Sequence, residues 1–304
     1  MLLLNWYIIG VFFAVFGLRK FLEGEGSKWW SGALFGLSAA SNLITAVPAL
    51  GILSFGAGSW KERMKFGAGM FGAILAVYVP LIFINSFPHS YMDASHNIVQ
   101  YSFVFPNLNV VSDFLAYEHN WYIEGSWMLA LFTNTSPIRY YLFPSLFIAL
   151  SAALIWRGAW MRKNITSNLD RARMTVTMCS LFTFAFLFST YVCTPQMNLV
   201  LLPFFVLLPT AKYYPEFLAF EVVNALIIVW GFSAPLLFLG ITIPTPVQFG
   251  PIWVSPIQFL AVLRSLWIGK FLIIDGLIHP RNLPNGQAGR KKLAMATPGL
   301  TSEV

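Results

Sequence analysis

The sequence predicts an all-α fold, a polytopic membrane bundle of about eight apolar segments, and three observations predict it. Hydrophobic residues make up 57% of the chain and charged residues 10%, against roughly 25% charged in a soluble domain. Mean hydropathy is +0.68, and a soluble fold of 304 residues has too little interior to hide that much apolar surface. The apolar residues also gather in runs of bilayer-crossing length, with the cations in the short gaps between them.

The runs are Leu2–Leu18, Trp30–Phe55, Phe66–Phe87, Tyr140–Trp156, Met174–Val192, the short Leu199–Pro209, Phe217–Ile241 and Ile257–Ile274. They are too long for barrel strands and do not alternate in polarity, which excludes a β-barrel. Leu2–Leu18 has neither a basic n-region nor a small-residue cleavage site, so it reads as a span rather than a signal peptide. Its abrupt start inside apolar sequence raises the expectation of a fragment. Cys179 and Cys193 lie on apolar or boundary segments without metal spacing and do not call for a disulfide.

Lys and Arg set the orientation. Arg19, Lys20 and Lys28 flank the first gap; Lys61, Arg63 and Lys65 fill the second; others lie from Arg157 to Arg173 and in the tail at Arg281, Arg290, Lys291 and Lys292. These gaps are expected on the cytoplasmic side, which explains the net charge of +7 without nucleic acid. No cation lies between Lys65 and Arg139, and Thr242–Pro256 is uncharged, so both stretches are expected outside. Trp30–Phe55 has basic gaps at both ends, which a single crossing would separate. A broken or re-entrant hairpin bending near Thr45, Pro48 and Gly51 resolves the conflict; the alternative is one crossing that ignores the charge rule. The reading divides the chain into a transmembrane domain over 1–275, with an outer loop over 86–138, and a flexible cytoplasmic tail over 276–304.

The outer loop is rich in aromatic residues and Asn, and Val110–Tyr117 and Trp121–Phe132 read as interfacial helices. It holds the outward titratable groups His89, Asp93, His96, Asp113, Glu118, His119 and Glu124. Carboxylates or imidazoles held over a membrane cavity suit general acid–base chemistry; equally, a few charges keep a loop out of lipid. His89-x3-Asp93-x2-His96 is weak metal spacing, and neither metal nor cofactor is expected. Glu118–Trp127, with His119 and Trp121, combines acid, imidazole, amide and indole groups. It fits a sugar- or headgroup-binding surface or an interfacial anchor. Arg264 and Lys270 lie in the last span, Glu221 and Asn224 in the seventh. Ionisable groups in lipid face a cavity or one another. Lys270 is expected to snorkel to the cytoplasmic face. Arg264 either binds a lipid phosphate or closes a bond inside the bundle. No Walker loop, zincin motif or nucleophile elbow is present.

Three patches resemble one family. Asn5-Trp6 opens the first span, and after a basic turn comes Ser31-Gly32-Ala33-Leu34-Phe35-Gly36-Leu37-Ser38-Ala39-Ala40-Ser41-Asn42. This pair is similar to the "NWD … GxLxGLxxAxKLYP" stretch of the GT-C superfamily of integral-membrane glycosyltransferases, especially polyprenol-phosphate-mannose-dependent mannosyltransferases. Thr194-Pro195-Gln196-Met197-Asn198-Leu199-Val200-Leu201-Leu202-Pro203 resembles that family's "SPQYxLWLLP" junction. The long loop with Trp121–Trp127 occupies the place of an outward segment. Tyr7 departs from the Asp of "NWD", and Asn42-Leu43-Ile44-Thr45 stands where "KLYP" is usual, so a family lysine is missing.

The resemblance implies an inverting transfer of a sugar, mannose first, from a polyprenol-phosphate donor to an acceptor on the outer face. Gln196 and Asn198 match the donor-side motif, and Arg264 is added from its own position. The family's aspartate base lies in a loop that would precede Met1. The chain then resembles the C-terminal part of such an enzyme: a fragment, a half completed by a second membrane chain, or an inactive relative. If it acts alone, the base must come from Asp93, Asp113, Glu118 or Glu124. The expected setting is a multi-pass membrane protein of a prokaryotic plasma membrane or endoplasmic reticulum, surrounded by lipid and using a lipid-linked sugar. A lipid or solute transporter and a non-catalytic scaffold subunit are the competing classes.

Overall fold

The computed structural model of the chain describes residues 6–24, 27–83, 138–162, 165, 167–189, 195–207, 214–231, 247–249, 252–254 and 256–278. These residues are helical apart from one small ribbon. The helices are α1 (Trp6–Leu22), α2 (Lys28–Ser41), α3 (Ala49–Gly51, continued as a π-helical turn over Ile52–Gly56), α4 (Trp60–Phe83), α5 (Ile138–Arg162), α6 (Asn168–Ser189), α7 (Leu202–Leu207), α8 (Tyr214–Gly231) and α9 (Pro256–Gly269, continued as π-helix over Lys270–Ile278). Short 3-10 turns cover Leu43–Ala46 and Pro195–Val200. In the uncharged gap expected outside, β1 (Val247–Phe249) pairs antiparallel with β2 (Ile252–Val254), Gln248 opposite Trp253.

Among the described residues one helix, α6, is long and apolar enough to cross a membrane. The expected helical fold is met among the described residues. The helices α4 and α6 start at reciprocal caps. The Glu62 amide donates to Ser59 Oγ at 3.2 Å while the Gly58 amide donates to Glu62 Oε2 at 2.6 Å. The Asp170 amide likewise donates to Ser167 Oγ at 3.0 Å. Such pairs satisfy the amides that a helix start leaves without intrahelical partners.

Side-chain contacts give each helix a direction. On α1 and α2, Ser31 Oγ donates to the Gly17 carbonyl at 2.7 Å, Ser38 Oγ to that of Gly10 at 2.8 Å, and Lys28 Nζ to that of Phe21 at 2.7 Å. Rising numbers meet falling ones, so the two helices are antiparallel. The helices α2 and α4 are parallel: Gly32 faces Phe66, Gly36 faces Met70 and Ala73, and Tyr78 Oη donates to the Ala40 carbonyl at 3.3 Å. Gly32 and Gly36 form a small-xxx-small stripe, and a Cβ at either would overlap a carbonyl of α4. Small residues at these positions are what let the two backbones approach this closely.

The second apolar run is broken. After α2 the chain turns through Leu43–Ala46, where Asn42 Oδ1 accepts from the Ile44 amide at 3.1 Å. It then runs back along α6, with Gly51 on Cys179 and Gly56 on Thr175. The turn sits in a closed polar network. Thr45 Oγ1 lies 2.8 Å from Ser38 Oγ and donates to the Asn42 carbonyl at 2.7 Å. Both ends of the run therefore lie at one end of the molecule, as the hairpin reading expects.

That end gathers the basic gaps. Phe21 meets Phe66 edge-on at 6.2 Å and also touches the face of Gly56. Arg162, closing α5, donates to the carbonyls of Phe55 and Ala57. The α4 helix leaves this basic end and α5 returns to it, Phe147 meeting Phe186 and Gly158 meeting Met178. The end of α4 at Phe83 and the start of α5 at Ile138 thus both lie toward the opposite end. Exposed indoles crowd the basic end as well: Trp29 and Trp30 open α2, Trp60 opens α4, and Trp156 and Trp160 close α5. Elsewhere large apolar side chains stand open on the flanks, including Phe12, Phe71, Ile148, Val206 and Leu266.

The π-helical end of α9 covers the far half of α6, with Gly276 on Leu181, Phe271 stacked on Phe184 at 5.4 Å and Gly269 on Phe188. The earlier part of α9 therefore extends past the far end of α6. Helix also continues to Ile278, with Gly276 buried, into the segment assigned by sequence to the tail.

Candidate functional site

The far end of the molecule holds a buried polar cluster built from three elements. Asn198 comes from the Pro195–Val200 turn, Asn224 from α8 and Arg264 from α9; they are 1%, 2% and 0% exposed. Asn198 Nδ2 donates to Asn224 Oδ1 at 2.8 Å, and Arg264 Nη1 donates to the same oxygen at 3.3 Å. One amide oxygen thus joins three elements. Asn198 Oδ1 is buried with no hydrogen-bond partner among the described residues. Glu221, one turn before Asn224, interacts with Asn224 and Arg264 but does not close a hydrogen bond on Asn224 Nδ2.

The cluster is one rung of a regular ladder. Glu216 pairs with Lys270, Phe220 meets Trp267 at 6.2 Å, and Asn224 meets Arg264. Steps of four on α8 match steps of three on α9, the spacing of antiparallel helices crossing at about 20°. Arg264 precedes Gly269, which packs on Phe188, by five residues, or roughly 8 Å of helix. The guanidinium therefore sits beyond the level of Phe188, toward the end away from the basic gaps.

Lys270 corrects an expectation. It does not reach toward the basic end. It pairs with Glu216, near the level where Gly269 meets Phe188, with both side chains 33% exposed. Its carboxylate partner lies far away in sequence, and pairing offsets a partly buried ammonium better than extension along the stem. For Arg264, the bond inside the bundle is present.

Of the other sequence candidates, Asp93, Asp113, Glu118, His119, Trp121 and Glu124 lie outside the described residues, as do His89, His96, Cys193 and the interfacial segments Val110–Tyr117 and Trp121–Phe132. Gln196 lies in the same 3-10 turn as Asn198. Cys179 is a buried free thiol against Gly51. Among the described residues no group of His, Cys, Asp or Glu is arranged to hold a metal. The two motif-like patches part company. Gly32 and Gly36 of the first are used in packing α2 on α4, whereas Asn198 of the second enters the polar cluster. Asn224 was visible only as a polar residue in an apolar run; its role as shared acceptor needs the fold.

A buried cation, two amides and an unfilled acceptor can orient an oxygen-rich anionic or hydroxyl-bearing group. Burying such groups costs free energy unless each finds a partner. Compared with protein-family models, curated proteins and solved structures, the chain matches none.

Proposed function

We propose that this chain is a multi-pass membrane transferase, or the C-terminal part of one, that takes a sugar from a polyprenol-phosphate donor. Membrane embedding is supported by the exposed apolar flanks and by the collar of exposed tryptophans beside the cations, the arrangement that headgroups favour. On this reading the basic end is cytoplasmic, and the cluster and the segment after Phe83 face outward.

The observation that carries the reading is the fully buried Arg264 sharing Asn224 Oδ1 with Asn198, a residue of the donor-side motif. Its charge would stabilise the phosphate as the bond from the sugar's anomeric carbon to the phosphate oxygen breaks and the electron pair stays on that oxygen. The new bond forms from the acceptor hydroxyl, whose proton passes to a carboxylate. Asp93, Asp113, Glu118 and Glu124 are the candidates within this chain, and a second chain is the other source.

The test is transfer from polyprenol-phosphate mannose in membranes containing the chain, with and without the product of the gene upstream. Arg264→Gln should lower transfer by about a hundredfold while leaving the thermal midpoint in place. Absence of lipid-dependent transfer in both preparations would end the proposal. The broken α2–α3 hairpin favours a second reading, a transporter with a discontinuous-helix site; flux of a lipid or solute without transfer would select it. A scaffold subunit would show neither.

A further inference from the structure

A second feature lies at the basic end, away from the polar cluster, and does not depend on the transferase reading. A cleft of about 70 Å³ opens between the end of the hairpin and the start of α6, lined by Phe55, Gly56, Gly58, Arg162, Ile165 and Arg171. Arg162 enters from the end of α5 and uses one terminal nitrogen, Nη2, for the carbonyls of Phe55 and Ala57. Arg171 comes from the first turns of α6, its Nη1 3.8 Å from the position a Cβ on Gly58 would take. Arg63, in the first turn of α4, adds a third guanidinium near enough to act on Arg162.

The charges do not balance. Among the described residues no carboxylate forms an ion pair with Arg63, Arg162 or Arg171. Glu62 and Asp170 are the acids at these two helix starts; Glu62 Oε2 is taken by the Gly58 and Ser59 amides at 2.6 and 3.4 Å, and Asp170 Oδ2 by Ser167 Oγ at 2.6 Å. Arg63 Nε is buried and has no hydrogen-bond partner among the described residues. Burial first, then the charges of Arg63 and Arg171, hold the Arg162 guanidinium below its ordinary pKa, against a smaller opposing pull from Glu62. The starts of α4 and α6 both adjoin the cleft and add the positive ends of their dipoles. Positive-inside topology accounts for cations on this side, but solvated lysines would meet that need; two arginines lining one cleft, with a third acting on one of them, go beyond it. Arginine's planar fork suits phosphate oxygens.

We propose that this cleft binds a phosphate group, at the depth where the exposed Trp29, Trp30, Trp60, Trp156 and Trp160 set the lipid headgroup layer. An anionic phospholipid of that leaflet and a free phosphate share the required chemistry, and the experiment separates them. The full chain is placed in nanodiscs of phosphatidylcholine with or without about a fifth phosphatidic acid, enough to give an anionic surface. In parallel it is held in neutral detergent with inorganic phosphate or with chloride at equal ionic strength. Thermal midpoints and lipid retained in native mass spectra are read for wild type, Arg171→Gln, Arg171→Lys and Lys61→Gln. Lys61 is an exposed cation at the same end but does not line the cleft.

The wild type should gain thermal stability from phosphatidic acid, and Arg171→Gln should retain about tenfold less of it, the effect of losing one charge-assisted pair. Arg171→Lys should recover part of the loss, and Lys61→Gln should behave as wild type. A rise with inorganic phosphate but not chloride would assign the cleft to a free anion as well as, or instead of, a lipid. If neither source shifts the wild type, or if Lys61→Gln loses as much as Arg171→Gln, the cleft is no site and only diffuse surface charge remains.

Discussion

The corner where α1, α2 and α4 meet and the ladder between α8 and α9 solve the same problem in opposite ways. The corner is built on small residues. Gly32 and Gly36 bring α2 against α4, and Ser31 and Ser38 donate to α1 carbonyls. Its serine hydroxyls and the Lys28 ammonium all find backbone carbonyls of α1. The ladder is built on long residues: an ion pair, an aromatic pair and a guanidinium on an amide. Its innermost rung leaves an acceptor, Asn198 Oδ1, unfilled among the described residues. A segment shaped only by packing has no reason to keep such a group buried, because each unsatisfied polar atom costs about 1–3 kcal/mol. The corner is therefore architecture, and the ladder is where function is to be sought.

The largest effect expected is at the corner. A Cβ on Gly32 would overlap the Phe66 carbonyl and crowd the Met70 amide, which are backbone atoms that cannot step aside. Gly32→Ala should cost about 3 kcal/mol, read as a fall in the thermal midpoint in detergent, with the residual protein keeping any activity it has. Gly72→Ala makes the control, since its Cβ would meet only the rim of Trp29 at 3.6 Å. Equal loss at both positions would mean that α2 and α4 are not packed this closely.

At the ladder the sign should depend on which partner is removed. Asn224→Ala takes away the oxygen shared by Asn198 and Arg264 and leaves both donors buried, costing about 2 kcal/mol. Arg264→Met removes the charge together with its need for a partner, and should stay within about 1 kcal/mol of wild type or exceed it. Melting curves of the two variants check this. Were Arg264→Met the more damaging, the guanidinium would be a structural strut, and the case for its keeping a phosphate would weaken.

This contrast also shows what the sequence makes legible. Charge placement is a one-dimensional signal, so the gathering of Arg19, Lys28, Arg63 and Arg162 at one end could be read from the gaps. The break near Thr45 and Pro48 could be read because two basic flanks cannot be reconciled with one crossing. Partners distant along the chain could not be read. Lys270 looked like a snorkelling residue since nothing in its own helix reveals Glu216, and Asn224 was singled out with Glu221 and Arg264 without its being readable which of them it meets. The glycines of α2 were read through a family likeness, whereas their contacts with Phe66 and Met70 give them a packing role that any close helix pair would need.

The smallest effect expected lies on the exposed rim of the corner, and there the answer is a pH profile. Glu23 closes α1 by accepting from Lys20 Nζ at 2.5 Å and from Arg19 Nε at 3.1 Å. The Lys20 hydrogen bond foremost, with the charges of both bases and the Arg19 bond, holds its carboxyl below the ordinary value of 4.5, against a smaller opposing effect of desolvation. A carboxyl with a depressed folded-state pKa contributes stability that is complete above its unfolded value and fades as pH falls through the folded one. The wild-type midpoint should therefore exceed that of Glu23→Gln by a small, constant margin above about pH 5. The two curves should converge as the solution is taken below the ordinary carboxyl range, and added salt should shrink the margin, because exposed pairs are screened. Curves that stay parallel through that window would show that Glu23 does not cap the helix by charge. The corner would then owe its stability to glycine packing and serine bonds alone.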